Sequence, residues 1–235
     1  MAMTTEAKVI LVAGGTGSIG SALVRMARKQ GWIVLAHGRD PATADLALDM
    51  AAPGAAAELV ARAVARHGRL DAVVDCVSAG VPGITGLFDQ TDPAAFTPFA
   101  DVSTGWFQRL AHAALPHLRA RGGTLVALVS DAGIHAAPRQ AIIGAARAAT
   151  IGFVRNLAVE VARDAVRVHA VSPSFVAGSA SAERMGSQRM AKAAERAGLG
   201  LPAAEDIAPA ILFLCGDGAR RMTGQVLSIN GGLNA

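Results

Sequence analysis

The chain contains no tyrosine among its 235 residues, and phenylalanine and tryptophan bring its aromatic share to only 4%. No phenol is available as a proton donor, and no aromatic platform exists on which nucleic-acid bases would stack. Its two cysteines, Cys76 and Cys215, sit in apolar segments. That rules against a disulfide framework and leads us to expect a reducing, cytoplasmic setting. No apolar run approaches the roughly 20 residues of a bilayer span. The opening MAMTTEAK runs straight into VILVAGG, without the order of a secretion signal, so no membrane association is expected. Charge of one sign is not concentrated either: 22 Lys and Arg against 18 Asp and Glu leave +4, with the arginines scattered along helical stretches. No nucleic-acid partner is expected from that distribution. His112 and His117 lie five apart and share no helix face, and no Cys/His/carboxylate cluster suggests a metal.

What is present is apolar and alternating. Hydrophobic residues make up 52% of the chain, enough to bury a large core. Short strand-like runs at 8–13, 32–36, 46–49, 70–77, 124–129, 166–171 and 225–229 alternate with helical patterns at 18–30, 55–67, 101–121, 138–162 and 203–216. Continuous apolar strands separated by helices predict an α/β fold with a parallel sheet covered on both faces. With no linker or repeat, residues 1–235 read as one domain. Residues 177–200 break the rhythm with Gly, Ser, Met, Lys and Arg. They read equally as a lid over a ligand or as a plain surface excursion. Trp106 and Phe107 read as packing residues, in the core or against another subunit.

The stretch VILVAGGTGSIGSALVRMA passes from strand through a glycine-rich turn into a helix. Gly15, Gly17 and Gly20 match the G-x-G-x-x-G pattern in the context that gives it meaning, with free helix N–H groups facing a phosphate. At the end of the second strand, Arg39 suits a 2′-phosphate and so favours NADP(H) over NAD(H). Asp40 is the rival, a carboxylate in ribose range, but the following Pro41 makes it read as the start of a turn.

Taken in order, AGGTGSIG, GRD, LDM, SAG, LVS, VSPSFV and the tail EDIAPAILFLCGDGARRMTGQVLSINGG resemble the short-chain dehydrogenase/reductase family over essentially the whole chain. The resemblance implies a doubly wound Rossmann domain with a seven-stranded parallel sheet. It implies that Gly14, Thr16, Gly17, Ser18, Ile19 and Gly20 cradle the dinucleotide phosphates. It places Asp49 and Met50 at the adenine and Ser78, Ala79 and Gly80 at the ribose. The segment from Pro173 to Val176 would face the nicotinamide carboxamide.

The family's chemistry uses an Asn, a Ser, and a Tyr and Lys four residues apart on one helix. Ser130 matches the serine. Thirteen residues on, the tyrosine position falls on Ile143, and the lysine position on Arg147. Val102, in DVSTG, stands where the asparagine is expected. An isoleucine cannot donate a proton, and an arginine is a poor shuttle. His135, in the loop after Ser130, offers a substitute acid–base partner, with Asp131 placed to orient it or to cap a turn. Ser130 itself reads as a pocket residue or a turn cap. Three functions follow. The first is an atypical NADP(H)-dependent oxidoreductase on a small carbonyl or alcohol, using Ser130, His135 and Arg147. The second is a non-redox acid–base enzyme such as an isomerase, dehydratase or cyclase. The third is an inactive structural partner of an active relative. A homo-oligomer, dimer or tetramer, is expected through the helices of 101–121 and 138–162, with a hetero-oligomer as the alternative.

Overall fold

The computed structural model describes residues 6–77 and 80–234. Seven strands form one sheet: β1 Val9–Ala13, β2 Ile33–Gly38, β3 Leu46–Ala47, β4 Ala72–Asp75, β5 Thr124–Leu128, β6 Arg167–Pro173 and β7 Val226–Ile229. Their order is β3-β2-β1-β4-β5-β6-β7, and every pairing is parallel. The order reverses direction between β1 and β4, where Val12 registers with Val74 and Ala13 with Asp75. A crevice at the carboxyl ends of the strands opens at such a switch point.

Alternation along the strands feeds two cores. Val9, Leu11 and Ala13 face one layer, with α2 Ala55–His67, α4 Trp106–Arg119 and α5 Ala141–Val161. Ile10 and Val12 face the other, with α1 Ser18–Lys29 and α8 Ala204–Cys215. Trp106 and Phe107 are fully buried in the first layer, which settles them as core residues. The two cysteines are free.

Three segments differ from the sequence reading. The expected helix at 101–121 begins as a π-helical turn, Asp101–Gly105, continuing the short α3 Phe96–Ala100. The helix expected from Pro138 starts at Ala141, because Arg139 takes a left-handed φ of 68° that no helix continues. Residues 177–200 hold two helices, α6 Ala180–Met185 and α7 Ser187–Arg196, joined at Gly186 with φ 84°. The expectation that no segment is long and apolar enough to span a bilayer also needs correcting. Residues Ala141–Asp164 reach that length and apolarity. Isoleucine, valine, leucine and alanine supply the apolarity, and one face of this helix, with Ile151, Val154, Leu157 and Val161, packs against the core of the sheet, as in a core helix.

Candidate active site

The glycine turn is built for close approach. Gly14 has φ 72°, and a Cβ there would lie 2.9 Å from the Cys76 backbone. At Gly20 a Cβ would sit 2.1 Å from the Gly14 carbonyl oxygen, so the first turn of α1 lies directly on the loop. Gly17 caps α1 with no side-chain hydrogen bond, and no acidic residue occupies the first turn. The N–H groups of Ser18 and Ile19 and the positive end of the helix dipole are thus left for an anion. These observations fit a dinucleotide diphosphate.

His37, a residue the sequence reading passed over, pins this turn from below. The Gly14 N–H donates to its Nδ1 at 3.2 Å, and its Nε2 lies 3.0 Å from the Leu48 carbonyl. The ring is therefore neutral with its proton on Nε2, and burial pushes its pKa below the ordinary 6.5. Nothing in its local sequence distinguishes it from any other histidine. Only the alternation of β2, which points it inward, carries a signal.

At the end of β2, Gly38 leaves room for Thr16, whose Oγ1 would lie 2.6 Å from a Cβ at that position. Arg39 follows, exposed and without an ion pair among the described residues. The Asp40 carboxylate instead accepts the Ala42 N–H at 2.9 Å and forms the turn. Asp49 is exposed and its Oδ1 accepts the Ala51 N–H at 3.0 Å, which ends β3 after two residues; Met50 packs against the core.

Ser78 and Ala79 lie outside the described residues. Gly80 is exposed, and the Arg184 guanidinium carbon of α6 would lie 3.7 Å from a Cβ on it. Pro173 ends β6, and Val176 is buried against the second core. Ser179 donates to the Val176 carbonyl at 2.8 Å and caps α6. The 177–200 segment thus bridges the β6 end and the β4 loop across the crevice.

Ser130, two residues past β5, accepts the Ala132 N–H at 3.3 Å and caps the 3₁₀ turn Asp131–Gly133. This turn presses on α5: a Cβ on Gly133 would lie 2.8 Å from Arg147, and one on Gly144 2.7 Å from the Ala132 carbonyl oxygen. The Asp131 carboxylate does not orient His135. It is buried and accepts from Ser172 Oγ at 2.9 Å, Asn230 Nδ2 at 2.6 Å and Asn234 Nδ2 at 3.1 Å. His135 is half-buried, and its ring makes no hydrogen bond with Ser130 or Asp131 among the described residues.

Across from Ser130 the wall is apolar. Ile143, Ile142 and Val102 pack on Ile84, Phe99 and Ala146. The π-helical turn brings Val102 there. Thr104 Oγ1 donates to the Ala146 carbonyl at 2.8 Å, and Ser103 Oγ to Phe99 at 2.8 Å. π-turns inside helices often mark functional sites.

Arg147 reaches back to the sheet, with Nη1 3.4 Å from the Leu128 carbonyl; its Nε is buried with no hydrogen-bond partner. Burial lowers its pKa, opposed by the charge of Asp75. Asp75, the last residue of β4, is itself buried. Its Oδ1 accepts the Val77 N–H at 3.1 Å and the Trp106 indole N–H at 3.3 Å. Desolvation pushes this carboxyl up to about 6, offset in part by those bonds and by Arg147. Asp75 and Arg147, 72 residues apart, are coupled by charge without a hydrogen bond or ion pair between them among the described residues. Burial also pushes the Cys76 thiol well above its ordinary value, so it is no nucleophile.

The family described as "Enoyl-(Acyl carrier protein) reductase" matches residues 13–234. A solved structure, "Oxidoreductase (short chain dehydrogenase/reductase family)" from Burkholderia thailandensis, is 30% identical with a TM-score of 0.82, covering 97% of this chain and 93% of that one. The chain belongs to the short-chain dehydrogenase/reductase family. It is a short-chain dehydrogenase/reductase-type oxidoreductase with the seven-stranded fold of that family. Momilactone A synthase from Oryza sativa subsp. japonica is 30% identical over 97% of this chain and 90% of its own length. The structure "ElxO with NADP Bound" shares the fold, with a TM-score of 0.84 at 23% identity, covering 97% and 99% of the two chains.

Proposed function

We propose that this short-chain dehydrogenase/reductase is an NADP(H)-dependent oxidoreductase of atypical mechanism, acting on a small carbonyl or alcohol. The observation that carries the cofactor half is the tight glycine cradle beside an unpaired Arg39, and ElxO supplies a fold relative with NADP bound. Gly14, Thr16, Gly17, Ser18, Ile19 and Gly20 would hold the diphosphate, and Arg39 with Thr16 the 2′-phosphate. Asp49 and Met50 would border the adenine. Gly80, with Ser78 and Ala79, would meet the ribose, and Pro173 to Val176 the carboxamide. Bound there, the nicotinamide supplies the two-electron exchange with the substrate carbon.

The chain's own groups handle the proton. Ser130 accepts from Ala132 N, so its O–H is left to donate to a substrate oxygen. Arg147 adds positive charge beneath the site but keeps its protons. The isoleucine wall excludes water and gives apolar contact to the substrate body. His135 is the remaining titratable group in the Ser130 loop. The absent phenol leaves a general-acid contribution of about 10²–10⁴-fold to be made up by Ser130, His135, a water or a substrate hydroxyl. The same apolar wall favours a second reading, in which the fold acts as a structural partner without redox turnover.

A second copy of this chain is the partner we propose. A groove of about 590 Å³ between α2, α4 and α5 is lined by Ala57, His112, Phe153 and Leu157. On α5, Val159 is 78% exposed. The small residues of α5, among them Ala145, Ala149 and Gly152, would let a second helix pair approach closely. Light scattering at micromolar concentration would show a dimer or tetramer, and a monomer would refute it.

Titration with NADPH and NADH tests the function. Binding of neither at millimolar concentration refutes the redox reading. With binding established, Arg39→Glu is expected to weaken NADPH by about tenfold or more while leaving NADH nearly unchanged, because one charge-assisted phosphate contact becomes repulsive.

A further inference from the structure

We propose that His37 is a positioning residue for the adenosine half of the dinucleotide: its ring, braced on Leu48, holds Gly14 of the phosphate turn where the ligand needs it. The proposal rests on the dinucleotide reading above and adds a residue that none of the family's motifs in this chain includes.

Gly14 is the point from which the turn can be moved. Its carbonyl oxygen accepts the Gly17 N–H at 3.1 Å, and Gly17 is the N-cap of α1. That oxygen also abuts Gly20 in the first helical turn, so a shift of Gly14 carries the helix start with it. With a φ of 72°, Gly14 lies against the Cys76 backbone on the β4 side. On the β2 side its N–H, donated to His37 Nδ1 at 3.2 Å, is the hydrogen bond that ties it down. The phosphates would meet the N–H groups of Ser18 and Ile19 at the far end of the same turn.

The ring itself has little freedom. It is buried, and the Trp106 indole stacks on it, with centroids 6.1 Å apart and planes inclined by 26°. Its Nε2 lies 3.0 Å from the Leu48 carbonyl oxygen, which can only accept. Nε2 therefore carries the proton, and Nδ1 is bare for Gly14. One neutral tautomer satisfies both bonds; an imidazolium would turn a second N–H toward the Gly14 N–H. The brace belongs to the same site. Leu48 donates its N–H to the Gly38 carbonyl at 3.0 Å and is followed by Asp49 and Met50, the residues assigned to the adenine.

No charged side chain bonds to the ring among the described residues. Asp75 of β4 lies beyond the indole, whose N–H it accepts at 3.3 Å. Arg39 and Asp49, the nearest charged residues along the chain from His37 and Leu48, are exposed. Burial holds the ring below its ordinary 6.5, so the neutral form that the two bonds need is the one present near neutral pH. Without the acceptor, Gly14 samples other positions. A turn that is competent about a fifth of the time binds about fivefold more weakly.

The test compares two variants of the full chain. His37→Asn keeps an acceptor where Nδ1 stands and gives up Leu48, whereas His37→Gln reaches Leu48 and leaves Gly14 without an acceptor. Dissociation constants for NADPH and for adenosine 2′,5′-bisphosphate are measured well below the melting temperature of each protein. We expect His37→Gln to bind both ligands about fivefold or more weakly than the parent, and His37→Asn to regain most of that loss. Equal weakening in the two variants marks a merely structural ring and overturns the proposal. So does a His37→Gln protein within about twofold of the parent, or one weakened toward NADPH but not toward the bisphosphate. If His37→Gln does not fold, the parent decides. In long-range proton–nitrogen NMR spectra His37 should carry its proton on Nε2, and the bisphosphate should shift its Nδ1 resonance. A proton on Nδ1, or a ring that does not respond to the ligand, overturns the proposal without any variant. A parent that binds neither NADPH nor NADH removes the functional reading and this proposal together. Intact parent binding with equal variants removes the proposal alone.

Discussion

His169→Leu should make this protein more stable, and increasingly so as the pH falls. His169 sits in β6, in register with Val126 of β5, with no exposed surface; among the described residues neither ring nitrogen has a partner at hydrogen-bond distance and angle, and the Met222 backbone offers only a weak contact. Leaving buried polar groups unsatisfied costs about 1–3 kcal/mol, so an apolar side chain of similar volume is expected to gain roughly 1–2 kcal/mol at pH 7.5. Burial, reinforced by the charge of Arg167 and opposed by the contact with the Met222 backbone, lowers the ring from 6.5 to about 4. Between those values the unfolded chain binds the proton and the folded chain does not. His169 therefore imposes no proton-linked cost above pH 6.5, and folded stability is lost as the pH falls through 6.5 toward 4. At about 1.36 kcal/mol per pKa unit the limiting loss is roughly 3 kcal/mol, of which about 1.3 kcal/mol falls between pH 7.5 and 5.5. Asp75, raised rather than lowered, pulls the other way. It is common to both proteins, so it cancels in their difference. Urea unfolding of the parent and His169→Leu at the two pH values measures that difference. A gap that stays constant, or narrows on acidification, refutes the assignment of a neutral, unsatisfied imidazole in β6.

Two further substitutions probe the site. Gly20→Ala sets helix propensity, worth about 1 kcal/mol in favour of alanine, against a Cβ placed 2.1 Å from a backbone oxygen. The contact should win, costing more than about 2 kcal/mol and abolishing dinucleotide binding; a rise in melting temperature would show that the turn has room. Ile143→Tyr combined with Arg147→Lys restores the acid and its partner, and carbonyl reduction across a broad substrate panel should rise by about 10²-fold or more. No gain with NADPH binding intact would mean that the pocket has diverged beyond its acid.

The sheet was legible because strands buried on both faces announce themselves as apolar runs, and all seven appear within a few residues of where the sequence puts them. The glycine turn was legible for a related reason: strand, turn and helix follow one another in sequence, so their geometry is local. The site's polar wiring was not. Asp75 and Trp106, Asp131 and Asn230, and His37 and Gly14 meet only because parallel crossovers bring distant segments together. The π-helical turn at Asp101–Gly105 escaped as well, since a single wide turn leaves the helical apolar pattern almost unchanged. Asp131 shows the limit of local reasoning. Four residues from His135 it read as its partner or as a turn cap, yet the carboxylate is committed to Ser172 and the two asparagines of the tail.

That commitment bears on the order in which the protein is made. The Asp131 carboxylate, in the turn that Ser130 caps, gains two of its three side-chain donors from Asn230 and Asn234. A folding chain that has already paired β1, β4 and β5 still carries this anion hydrated until residues 230–234 dock on the turn. The turn beside Ser130 therefore sets only once β7 and the residues after it are in place, whereas the glycine turn is complete with β1, α1 and β2.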